Sequence, residues 1–183
     1  MKIALKNVRA AFLNALFEPK TVNGEGKPAF SATFLLDPAD PQVKTIEAAI
    51  EAVAKEKWGA KAEAILKQMR AQDKLCLHDG DLKANYDGFP GMLYVSSRSN
   101  TRPLVIDADK SPLTESDGRP YSGCYVNASL ELWAQDNNYG KRVNAQLRGV
   151  QFFKDGDAFA GGGAADADEF DDVTEGATAD DLV

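Results

Sequence analysis

The chain has 183 residues, 44% of them hydrophobic, and a formal net charge of −7. That length suits one domain with its own core plus an extension, and two cysteines in no close-spaced pattern argue against a disulfide framework or a zinc site and fit a reducing compartment. No stretch approaches the roughly 20 apolar residues that cross a bilayer, and the N-terminus has no apolar run of signal-peptide length, so a cytoplasmic protein without membrane contact is expected.

Lys2 to about Leu16 mixes apolar and polar positions and predicts a strand. Thr21 to Pro28 reads as a turn, and Ala29 to Leu36 as the returning strand of a hairpin. Asp40-Pro41 predicts a helix start, with Asp40 accepting from the free N–H groups of the first turn. Val43, Ile46, Ile50, Val53 and Ala54 then share one helical face. Gly59 breaks the pattern, and Ala62, Ile65, Leu66 and Met69 predict a second helix. From Asp73 onward glycines and prolines punctuate β and loop segments, with Gly91 to Arg98 a strand.

The cleanest alternation lies in Cys124 to Trp133. Cys124, Val126, Ala128, Leu130 and Leu132 fall on one face; Tyr125, Asn127, Ser129, Glu131 and Trp133 fall on the other. Asp136 to Lys141 is a turn. Arg142 to Phe153 returns with Val143, Ala145 and Leu147 inward and Arg142, Asn144, Gln146 and Arg148 outward. This predicts a long antiparallel hairpin with one dry and one wet side. Phe30, Phe34 and Phe153 are expected in the core. The whole is mainly β with a helical insertion. The OB-fold, a five-stranded Greek-key β-barrel whose open face binds oligonucleotides, is the natural candidate, and other small barrels or a sandwich fit the pattern too.

Charge is unevenly spread. All 21 Lys and Arg residues lie at or before Lys154, with 18 of the 28 acids, so residues 1–154 carry +3. Residues 155–183 hold the other ten acids, a Gly161-Gly162-Gly163 linker and few large apolar groups, which predicts a disordered acidic tail. Two domains are therefore expected: a body over 1–154 and a tail over 155–183.

Catalytic patterns are missing. His78, Asp79 and Asp81 suggest a metal or nuclease site, but a polar loop explains them, because such sites need ligands converging from several elements. Asp107 and Asp109 suit a turn at a strand end. No phosphate-binding glycine loop occurs. No enzyme activity and no cofactor are expected.

The stronger signal is positive charge interleaved with aromatic rings. Sequence-independent binding of a single strand needs cations for the phosphates and flat side chains for the bases. The candidate DNA-binding residues are Tyr86, Tyr94, Arg98, Arg102, Tyr125, Trp133, Lys141, Arg142 and Arg148.

The stretch Tyr121-Ser122-Gly123-Cys124-Tyr125-Val126-Asn127-Ala128, continuing into Tyr139-Gly140-Lys141-Arg142-Val143-Asn144-Ala145-Gln146-Leu147-Arg148, resembles bacteriophage single-stranded-DNA-binding proteins. Arg102 to Asp107 and Lys154 to Phe159 share that resemblance. It implies an OB-fold that coats single strands during phage DNA replication or recombination, in the cytoplasm of an infected bacterium. It also implies an acidic tail that recruits replication or recombination proteins and competes for the DNA groove. The tail residues expected to meet partners are Asp171, Asp172, Asp180, Asp181, Leu182 and Val183. Many such tails end in acids and an aromatic residue; this one ends Asp180-Asp181-Leu182-Val183. A homo-oligomer is compatible with strand coating. The competing reading is an adaptor whose acidic tail mimics nucleic acid.

Overall fold

A computed structural model describes residues 1–22, 24–159 and 170–174. The strands are β1 (Lys2–Ala11), β2 (Lys20–Val22), β3 (Glu25–Leu36), β4 (Leu77–Asp79), β5 (Leu93–Ser99), β6 (Leu104–Ile106), β7 (Tyr125–Asn137) and β8 (Gly140–Lys154). Two helices, α1 (Gln42–Trp58) and α2 (Ala62–Ala71), fall between β3 and β4. The result is mainly β with a helical insertion. Its topology is OB-fold-like: β1 pairs with β3 and β7, β7 with β8, β8 in parallel with β5, and β5 with β3.

The alternation expected in the long hairpin is present. Val126, Ala128, Leu130 and Leu132 of β7 and Val143, Ala145 and Leu147 of β8 are buried, while their neighbours face outward. The two strands pair over their whole length, Tyr125 with Lys154 at one end and Asn137 with Gly140 at the other. The first hairpin is tighter than expected. β3 begins at Glu25, inside the segment read as turn, and β2 pairs with it there. The helix start is as expected: Oδ1 of Asp40 accepts from the Gln42 N–H at 2.9 Å. Ile46, Ile50, Val53 and Ala54 of α1, with Leu66 and Met69 of α2, pack into the main core beside Phe34, Leu130 and Leu147. Phe30 and Phe34 are buried, but Phe153 is exposed: Phe152 is the ring that packs on the main core, and its neighbour in the strand turns to the other face. Among the described residues no helix is long and apolar enough to cross a membrane.

The boundary expected after Lys154 needs correcting. β8 ends there, but residues 155–159 stay on the body as a strap. Oδ1 of Asp155 accepts from the Tyr121 hydroxyl at 2.7 Å, and the Asp157 carbonyl accepts from Nη2 of Arg9 at 2.7 Å. The Phe159 N–H donates to the Ser122 carbonyl at 3.0 Å. The Phe159 ring packs on a second, smaller core of Ala11, Leu35, Phe89 and Tyr94, with the Arg9 guanidinium 4.3 Å from its centroid. Glycine at 123 is required: with φ at 107°, an added Cβ would stand 2.2 Å from the Asp157 carbonyl oxygen. The Tyr121 to Tyr125 stretch that carries the family resemblance is thus the seat of this strap.

Candidate nucleic-acid interface

β3, β5, β8 and β7 lie side by side, and their outward residues meet in rows. Ser31 opposes Arg98, Arg98 opposes Gln146, and Gln146 opposes Glu131. The next rows on the hairpin pair Trp133 with Asn144 and Gln135 with Arg142. Strands about 4.8 Å apart make this a shelf roughly 15 Å wide. The shelf floors a groove of about 940 Å³.

The chemistry of that groove departs from the chain's average. Lys27, Lys74, Arg98 and Arg142 line it, and among the described residues no aspartate or glutamate does. Much of its floor is hydroxyls and amides, such as Ser31, Thr33, Ser96, Asn144 and Gln146. Trp133, 45% exposed, is the aromatic ring with the most open face there. The carboxylates nearby are turned elsewhere: Asp73 lies 2.6 Å from Nδ1 of His78, and Glu131 holds Arg148 at 2.9 Å.

His78 sits at the groove edge on β4, with Nε2 2.9 Å from the Ser96 hydroxyl. Among the described residues no group of three or more His, Cys, Asp or Glu side chains could hold a metal ion. Asp107 and Asp109 serve their own turn, accepting from the N–H groups of Ala108 and Ser111. Cys76 also lines the groove, but burial pushes its thiol up to about 12, and that of Cys124 to about 11, so neither is a nucleophile at neutral pH.

Of the nine candidates, Arg98, Trp133 and Arg142 meet in the groove. Lys141 and Arg148 lie on the same hairpin but are engaged with Asp136 and Glu131. Arg102 donates to the Phe17 carbonyl at 2.6 Å and lies over the Phe30 ring, so it braces the loop after β1. Tyr125 shares the outward face of β7 with Trp133 but lies eight positions away, roughly 26 Å along a strand. It is half-buried under Gly156 and Lys154, whose Nζ is 4.7 Å from the ring centroid. Tyr94 must be corrected. It is 5% exposed, with His78 stacked at 4.7 Å and Phe89 edge-on at 5.3 Å, and it has no face free for a base. Burial raises its pKa. Tyr86 is exposed but lines a separate pocket.

Two groove cations escaped the sequence reading. Lys27 lies in the segment read as turn, although it belongs to β3. Lys74 follows α2, and a backbone hydrogen bond from the Val143 N–H to its carbonyl brings it beside β8. Of the tail residues, Asp171 and Asp172 are described; Oδ1 of Asp172 accepts from the Thr174 N–H at 2.9 Å. Asp180, Asp181, Leu182 and Val183 lie outside the described residues.

Known proteins resemble this chain in sequence or in fold. A protein of Acyrthosiphon pisum secondary endosymbiont phage 1, putative protein p50, is 52% identical over 177 residues, 95% of each chain. The single-stranded DNA-binding protein of bacteriophage Enc34, solved in complex with ssDNA, superposes with a TM-score of 0.74 at 29% identity, covering 86% of this chain and 88% of that one. The single-stranded DNA-binding protein gp2.5 of bacteriophage T7 superposes with a TM-score of 0.60 over 90% of this chain and 98% of its own; at 13% identity the likeness is one of fold. The family described as the ssDNA-binding protein of Enterobacter phage Enc34 matches residues 1–183, and the chain belongs to it.

Proposed function

We propose that this protein coats single-stranded DNA without sequence preference during phage DNA replication or recombination, in the cytoplasm of an infected bacterium. The observation that carries this is the groove: four cations, an exposed tryptophan and, among the described residues, no carboxylate in its lining, within a chain of net charge −7. Lys27, Lys74, Arg98 and Arg142 take successive phosphates, releasing counterions. One base stacks on Trp133, and the hydroxyl and amide floor offers hydrogen bonds to any base edge. Sequence independence follows, since charge and ring faces do not discriminate among bases. No bond is made or broken.

In this reading the strands close as the five-stranded OB barrel, which the pairing of β3 with both β1 and β5 supports. The acidic tail recruits replication or recombination proteins and, as a tethered polyanion, competes with DNA for the groove. Anisotropy of labelled oligo-dT tests the proposal. Wild type should bind it and mixed-sequence strands alike, and Arg98→Ala with Arg142→Ala should weaken both by tenfold or more. Equal affinity in the double variant would remove the groove from the account.

A further inference from the structure

We infer that a second nucleotide site adjoins the groove, in the pocket between the end of β1 and the loop before β5, and that it takes a base from the same strand. The inference rests on the groove binding single-stranded DNA. The pocket measures about 330 Å³ and is walled by Phe12, Tyr86, Phe89 and Phe159, with the polar groups of Asn85 and Ser122 at its rim.

Continuity with the groove is fixed by strand register. Ala11 lines the pocket, Thr33 lines the groove, and the two are direct partners across the β1–β3 pair. Such partners have Cβ atoms about 5 Å apart. The pocket therefore lies one strand pair from the groove, on the same face of the sheet.

The contents suit a nucleotide. Tyr86 is 41% exposed, and its contacts with Phe12 and Phe89 are edge-on or tilted, at 5.0 and 6.1 Å between centroids. Neither ring lies parallel on Tyr86. The Lys83 ammonium lies 5.7 Å from the centroids of both Phe12 and Tyr86, where it can meet the phosphate of a base stacked on the exposed side of the Tyr86 ring. Asp87 also lines the pocket. Phe12 carries a left-handed backbone, φ 54° and ψ 50°, which aromatic residues rarely adopt and which concentrates at ligand-binding positions.

Two oligo-dT lengths test this, one of about 5 nucleotides that fills only the groove and one about twice as long, within the span known for single OB-folds. Trp133 fluorescence reports the groove and anisotropy reports affinity. Tyr86→Ala should weaken the longer strand about tenfold and leave the shorter one unchanged. Tyr86→Phe, which keeps the ring, should bind both as wild type does. Lys83→Ala should lower the salt slope for the longer strand by about 0.7. Wild-type affinity for the longer strand in both Tyr86→Ala and Lys83→Ala overturns the inference. So does a pocket that binds an isolated peptide of residues 166–175, loses it in Tyr86→Ala and leaves the oligonucleotides unaffected, since the occupant is then a protein segment. If neither strand changes Trp133 fluorescence in wild type, the groove reading fails first and takes this inference with it.

Discussion

Replacing Tyr94 by alanine separates packing from binding on this sheet. The ring is 5% exposed, stacked on His78 and edge-on to Phe89, and it faces Leu35 across the β3–β5 pair. Removing a buried aromatic side chain costs the lost transfer energy plus the cavity left behind, about 3–5 kcal/mol. The slight exposure that Tyr94 keeps places Tyr94→Ala toward the lower end, about 3–4 kcal/mol. For a body of this size each kcal/mol lowers Tm by about 2–4 °C, so the drop is roughly 6–16 °C. Thermal melting followed by circular dichroism measures it. Affinity for a short oligo-dT, measured by anisotropy well below that Tm, should stay within twofold of wild type. An unchanged Tm with weakened DNA binding would refute the reasoning, because Tyr94 would then be a stacking residue and not part of the core.

Trp133→Ala should behave in the opposite way, leaving Tm nearly unchanged and weakening oligo-dT binding about 5- to 140-fold by loss of one stack. Trp58 donates to Oδ2 of Asp136 at 2.9 Å outside the groove lining, so Trp58→Phe should keep the full fluorescence response to DNA. A chain ending at Phe159 should melt as the full-length protein does, whereas one ending at Lys154 loses the strap and about 1–2 kcal/mol, most of it from the half-buried Phe159 ring; paired melting curves check this. Cys76 and Cys124, with thiols near 12 and 11, should resist a colorimetric thiol reagent at pH 8 in the folded protein and react fully in guanidinium.

The long hairpin was legible in the sequence because its alternation is strict. Every second residue of Cys124 to Leu132 is apolar, and burial follows that period. The helices were legible from the spacing of Ile46, Ile50 and Val53 and from Asp40-Pro41. Tyr94 shows where pattern stops. It does share a face with Arg98, as period two requires, but the loop carrying Phe89 folds over that end of β5 and covers it. A lid contributed by a distant loop leaves no trace in the strand's own alternation. Lys74 was hidden for the same reason: nothing local marks it, and its place in the groove depends on the bridge from Leu75 to Val143. The strap illustrates the reverse case. Acidic composition after Lys154 suggested immediate disorder, but Phe159 and the tyrosine and serine of the Tyr121 to Tyr125 stretch hold five further residues to the body.

Titration of the tryptophan fluorescence with oligo-dT across a salt series tests the central claim most directly. Four groove cations, each displacing about 0.7 counterion from a single strand, predict that log K falls with log salt at a slope near −3. Neutralising Arg98 and Arg142 together should bring the slope to about −1.4. A salt-independent response, or none at low salt, would contradict the assignment of this groove to single-stranded DNA.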